Sequence, residues 1–417
     1  MKKALLAVFM ILFACAAAYG SEYTGVLDGA PYKIRVPDKW NRELLLYAHG
    51  YGYLERWDPA TQFDYSYADA APGGQQMEDF LLSQGYALAG AVFNGAGWQV
   101  EEGTIDTVAL LGLFKKLVGK PPRRTILIGY SLGSIIALKS AEDVPLYSGI
   151  IAGCTAGAGT SKSMDLVGAF SLAYDTLFGW PAAWGTWDNV RSGINFNQEV
   201  LPALYAQVMD PYNIPKFEFM RLLTGDPFEG FYSDPGWLFL GMFMATEVRA
   251  DLQARAGGPV VQNANAVYAL SDGDKGYLAA IGFPADQVDL LLAAMNARTT
   301  VAISPAQQAY LTQYFDPAGS LARPVISMHA IKDGLVPVYE ETVLKQTVQA
   351  AGAESLLQQV YTGDAGHCTF TPAQLLATIT AMNSWLDTGM KPGPEFFSVS
   401  DGFIPGYVPP PWPIGTK

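Results

Sequence analysis

The chain has 417 residues, half of them hydrophobic and 16% charged, and its 39 acidic and 26 basic residues give a formal charge of −13. A chain of this length and apolar content buries a substantial core, which excludes a disordered protein. With no basic block to offset the acidic balance, phosphate backbones are repelled, and no nucleic-acid partner is expected.

At the start, Lys2 and Lys3 precede an apolar stretch at 4–13, followed by small residues. This pattern reads as a secretory signal over residues 1–20, cut near 16–21. The stretch is too short to span a bilayer, and no later run is long enough, so no transmembrane anchor is expected. Leu12-Phe13-Ala14-Cys15 resembles a lipoprotein processing site in which Cys15 would carry lipid, although Phe13 departs from the usual residue. The expectation is an exported protein, periplasmic or extracellular. After cleavage Cys154 and Cys368 remain. In an oxidising compartment they are a possible disulfide; the alternative is two unrelated small buried hydrophobes.

Next, residues 23–27 and 32–36 read as strands joined by an Asp28-Gly29 turn, and 43–48 (ELLLYA) as a buried strand ending at HGYG, 49–52. A helix over 76–83 leads to a strand over 86–93. A second helix covers 105–118, with apolar positions 105, 108, 110, 111, 114 and 117. The alternation continues with a strand at 124–129, a helix at 132–141 and a strand at 147–153. Strands that alternate with helices and are apolar throughout imply a mostly parallel sheet covered on both faces, an α/β fold.

From 155 to 323 the alternation stops. This stretch is rich in aromatic residues and proline, is mainly helical where periodic, as over 286–296, and is too long for a loop. It reads as a cap inserted into a core made of 21–154 and 324–388. Most of its aromatics are expected to form the cap's own core. A strand at 324–329, a helix at 340–351, a strand at 356–361 and a helix at 372–386 complete the core. The tail, 389–417, is rich in Pro and Gly and is expected to run extended over the surface.

The stretch GYSLG, 129–133, lies where a strand meets a helix. So tight a turn excludes bulky side chains two residues before and after Ser131, a condition Gly129 and Gly133 meet, and it lifts the Ser131 hydroxyl clear of the sheet. The helix beginning at Leu132 aims unpaired N–H groups at the same point. A serine needs a base, and the chain has three histidines: His49, His329 and His367. His367 follows a late strand and is taken as the base. His49 precedes the serine, and His329 is expected within a strand. Asp333, after the preceding strand, is taken as the group that orients His367. Asp364 is the rival, but three residues before His367 it would more often cap a local turn.

The order Ser131, Asp333, His367, with the GYSLG elbow, the early HGYG and the DGLVP segment at 333–337, resembles the α/β-hydrolase superfamily over residues 30–153 and 324–388. The resemblance implies an α/β-hydrolase fold with a mostly parallel sheet and a helical cap inserted before the acid-bearing strand. It implies an oxyanion hole formed by the amides of Tyr51 and Leu132, with His49 shaping that loop. A serine nucleophile implies a serine hydrolase of the carboxylesterase type, forming an acyl-enzyme from a small-molecule ester, and the aromatic insertion leaves room for a bulky or aromatic acyl group. His367-Cys368 resembles the tannase and feruloyl-esterase family, whose catalytic histidine is followed by a cysteine bonded to one directly before the nucleophile. Tyr130 stands at that second position here, which leaves Cys154 as a candidate partner if strand order allows. Asn94 and Trp98 are expected to line the mouth of the site.

Other signals carry less. The loop 153–163 lacks the Gly-Lys pair of a phosphate-binding loop, and Asp272-Gly273-Asp274 lacks the later ligands of a calcium loop. No metal and no cofactor are expected. Two alternatives remain open: a peptidase of the prolyl-oligopeptidase type, and a non-catalytic exported binding protein on the same fold.

Overall fold

Alternate residues of the central strands feed two cores. In the computed structural model, which describes residues 20–52, 68–227 and 236–417, Leu44 and Leu46 point to one face of the sheet and Leu45 to the other. Leu127 and Ile150 join the first pair, Ile126, Ile128 and Ile151 the second. Period-2 alternation with both faces apolar is what a sheet sandwiched between helices requires. The expected leader, with Cys15, falls outside the described residues.

The strands are β1 (Ser21–Leu27), β2 (Ala30–Val36), β3 (Glu43–Ala48), β4 (Ala87–Ala91), β5 (Arg124–Tyr130) and β6 (Gly149–Gly153), then a short β7 (Ala266–Val267) in the insertion, β8 (Val325–Lys332), β9 (Leu357–Ala365) and a terminal β10 (Gly415–Thr416). Eight of them form one sheet in the order β1-β2-β4-β3-β5-β6-β8-β9. The β1–β2 and β2–β4 pairs are antiparallel, and the rest are parallel. Helices α1 (Gly74–Ser83), α2 (Val100–Val118) and α3 (Leu132–Asp143) join the first strands. Residues of α2 and α3 pack in one core and those of α1 in the other. This is the α/β-hydrolase fold.

The structure starts α2 five residues before the expected 105. Gln99 at its N-cap makes no side-chain cap, so no local signal marks the start. Gly103 lets the first turns lie against Phe93 and Ile136, where a Cβ would collide. Ile105, an expected core position, is 61% exposed, and the buried face is carried by Leu110, Leu111 and Phe114.

Between β6 and β8 the chain forms α4 (Gly159–Phe178), α5 (Leu201–Val208), α6 (Ile214–Thr224), α7 (Gly236–Phe243), α8 (Arg249–Ala256), α9 (Asp272–Ala280), α10 (Ala285–Asn296) and α11 (Pro305–Tyr314). Trp184, Trp187, Phe217, Phe219 and Trp237 are buried together in a core of this region's own. Asp274, part of the dismissed calcium signal, closes a capping box with Ser271 at the start of α9. α12 (Glu340–Ala350) and α13 (Pro372–Thr388) complete the set.

The tail is tied down more closely than an extended surface segment. Phe397 and Phe403 are buried against the α13 side, Trp412 meets Tyr339 edge-on, and β10 pairs with β7 in the insertion.

Candidate active site

β5 delivers Ser131 at φ 57° and ψ −124°, a backbone conformation that strains any residue with a Cβ, and α3 begins at the next residue. The flanking glycines are sterically required. A Cβ on Gly129 would strike the Gly133 carbonyl, and one on Gly133 would strike the Ala48 carbonyl. The loop after β3 therefore lies directly on the elbow, with Gly50 facing Ser131: a Cβ there would stand 3.3 Å from that of the serine.

Three chain-distant groups meet at the C-terminal ends of β5, β8 and β9. His367 Nε2 lies 2.8 Å from Ser131 Oγ, and His367 Nδ1 lies 2.8 and 3.0 Å from the two Asp333 carboxylate oxygens. Asp333 is fully buried, and its Oδ1 accepts from the amides of Leu335 and Val336, each at 2.9 Å. With Asp333 accepting from Nδ1–H, Nε2 is left as the acceptor for the serine proton. The rival Asp364 accepts instead from Gln374 Nε2 at 2.7 Å, beside the start of α13.

His49 is held by its own loop. Its Nδ1–H donates to the Gly50 carbonyl at 2.6 Å, the Phe93 amide donates to Nε2 at 3.3 Å, and the ring stacks on Phe93 at 4.0 Å. Burial pushes its pKa down from 6.5 to about 4, against the opposing effect of the Gly50 bond. The folded protein therefore refuses a proton that the unfolded chain accepts below pH 6.5. Stability is expected to fall by up to about 3 kcal/mol as pH drops from 6.5 to 4, with no contribution above that window. Denaturation of the wild type and His49→Gln at pH 7 and pH 4.5 tests this: the variant should show the shallower loss, and equal losses would refute it.

Cys154 and Cys368 are joined in a disulfide with their Cα atoms 5.1 Å apart. β6 and β9 are not neighbours, but the loop carrying His367 reaches back across the end of β8 to the residue after β6. Both cysteines have positive φ, 42° and 57°, so three of the strained non-glycine residues stand at this site. Cys154, His367 and Cys368 are grouped closely enough to hold a metal, but two of the three donors are sulfurs already bonded to each other. Tyr130, where the tannase-like pattern has cysteine, packs edge-on against Phe370 at 5.3 Å.

A cavity of about 310 Å³ opens at Ser131, and both Tyr51 and Leu132 line it. Trp98 lines it too, fixed by its Nε1–H bond to Thr160 Oγ1 at 3.2 Å. Asn94 does not: it is exposed, and its Nδ2 donates to the Asp28 carbonyl at 3.0 Å, tying the loop after β4 to the β1–β2 turn. The polar side chain points back along the antiparallel edge, away from the site.

Sequence reasoning missed the support beneath the acid. His329 is fully buried in β8, and its Nε2–H donates to the Val336 carbonyl at 2.7 Å, which holds the turn whose amides grip Asp333. The only signal was a histidine inside an apolar strand.

The strand order and this Ser–His–Asp arrangement define the class of fold and site. No family model and no curated protein matches the chain. Among solved structures it is similar to an esterase from Pyrococcus furiosus, with a TM-score of 0.40 and 13% identity over 90% of this chain and 89% of that one. For the closed state of Candida antarctica lipase A the values are 0.42 and 15%, over 89% and 78%. For the Pyrococcus horikoshii acylaminoacyl peptidase they are 0.42 and 10%, over 91% and 43%. No activity is carried across from these likenesses, and the fold rests on the strand order itself.

Proposed function

We propose that the protein is a serine hydrolase that cleaves small carboxylic esters through an acyl-enzyme. The observation that carries this reading is the unbroken hydrogen-bonded line from Asp333 through His367 to Ser131. Ser131 Oγ attacks the ester carbonyl while His367 Nε2 takes its proton, and Asp333 stabilises the imidazolium. The oxyanion is held by the amides of Tyr51 and Leu132, each such donor being worth ~10²–10³ in rate. On collapse the alcohol leaves with the proton from His367. Water, deprotonated by the same nitrogen, then releases the acid and restores the serine.

An ester is favoured over a peptide because the described residues that line the Ser131 cavity include no Asp, Glu, Lys or Arg to fix a peptide terminus. Export is part of the proposal and is supported by the Cys154–Cys368 bond, which persists in oxidising compartments. No helix among the described residues is long and apolar enough to cross a membrane.

The test is fluorophosphonate labelling of the purified protein with peptide mapping, alongside a comparison of aryl esters and aminoacyl-arylamides. Labelling at Ser131 with ester turnover is expected. Faster arylamide cleavage would move the reading to a peptidase, and no labelling of folded protein would move it to a binding role.

A further inference from the structure

A second chamber, of about 90 Å³, adjoins the Ser131 cavity, and the two share Trp98, Ala156, Met244, Leu335 and Val336 as walls. Beyond this neck the chamber is lined by Leu166, Val167 and Phe170 of α4, Trp237 and Gly241 of α7, and Tyr339. Gly241 allows α7 to close onto α4, since a Cβ there would stand 2.7 Å from the Phe170 ring. The chamber thus lies between the inserted helices and the acid loop.

Most of its polar neighbours already have partners, the exception being the buried Trp237 indole N–H, which has none among the described residues. Glu340 accepts from the Ala158 amide at 2.7 Å and lies 2.8 Å from Ser163 Oγ. The Tyr339 hydroxyl donates to the Thr224 carbonyl at 2.6 Å, and the Asp226 carbonyl takes the Arg221 guanidinium at 3.2 Å. Walls that are mainly apolar and carry a single open N–H, that of Trp237, suit a mainly apolar guest, because a polar one would give up water for at most one bond.

Resting on the ester-hydrolase reading above, we propose that this chamber receives the acyl chain of the substrate and that the chain is unbranched and aliphatic. The chamber meets the Ser131 cavity at Val336, beside the acid loop, so a chain extending from an ester carbonyl at Ser131 can enter it past Trp98 and Met244. Its volume of about 90 Å³ is below the ~150 Å³ of a cavity that holds benzene, which disfavours an aryl ring inside it. Met244 at the neck has the flexible side chain that adapts to such a chain.

The experiment measures kcat/KM of the wild type on p-nitrophenyl esters from acetate to dodecanoate and on the benzoate. Over the middle of the series it should rise about fourfold per methylene, the equivalent of ~0.8 kcal/mol for each buried CH₂. Val167→Phe and Leu166→Phe both fill the chamber and should lower the octanoate-to-acetate ratio at least tenfold. Both residues are only partly buried, so both variants are expected to fold, and either keeps the test open if the other fails. An unchanged ratio in a folded variant, or benzoate preferred over octanoate, overturns the assignment of the chamber while Ser131 labelling leaves the hydrolase reading intact. Absence of both labelling and ester turnover removes the hydrolase reading and the chamber's role with it.

Discussion

Ser131→Ala is expected to lower kcat on an activated ester by about 10⁶-fold, the loss seen when a triad serine is removed, while the fold is retained. The side chain ends at the one hydroxyl that His367 Nε2 faces, so nothing replaces it. Ser131→Gly should lose as much activity yet be more stable than the alanine variant. The backbone at this position, φ 57° and ψ −124°, costs a residue with a Cβ roughly 1–3 kcal/mol, which glycine avoids at the expense of ~0.5–1 kcal/mol of chain entropy. A net difference of about 1 kcal/mol should appear as a higher urea midpoint for the glycine variant. Equal midpoints would mean that the strain relieved at the elbow is no larger than the ~0.5–1 kcal/mol that glycine costs in chain entropy.

That elbow was legible in the chain because its constraint is local. Gly129 and Gly133 are required by contacts within one strand–turn–helix unit and with the strand next to it, and five letters record them. The parallel strands were legible for a related reason: burial on both faces leaves runs such as ELLLYA, which match β3 residue for residue. Asn94 failed because its side chain is claimed by Asp28, on an antiparallel strand turn far away in the chain. The start of α2 failed because no capping side chain marks it.

What was least legible is what three or more separated segments build together. The second chamber draws on α4, α7 and the turn after β8, and each of these reads alone as ordinary apolar helix or loop. His329 likewise acts across seven residues, through the Val336 carbonyl, and nothing in the sequence says which way a buried strand histidine points. The pairing of Cys368 with Cys154 depends on a loop crossing the end of an intervening strand, so the spacing of 214 residues could not settle it.

Asp333→Asn should lower kcat by about 10⁴-fold with little change in KM, and the structure explains why an isosteric change is so costly. Oδ1 of Asp333 accepts two backbone amides, from Leu335 and Val336, in a turn that His329 holds from below. An asparagine at 333 can satisfy those amides only with its carbonyl oxygen, so its NH₂ must stand where Oδ2 now meets His367 Nδ1 at 2.8 Å. A donor there forces Nδ1 to accept, the ring proton moves to Nε2, and the nitrogen facing Ser131 can no longer take the serine proton. The loss is therefore in tautomer and charge stabilisation, with geometry preserved. Asp364→Asn, whose carboxylate accepts from Gln374 rather than from His367, should stay within a few-fold of the wild type. The two variants assayed side by side on one ester decide the matter: a large loss at 364 with a small one at 333 would transfer the orienting role to Asp364.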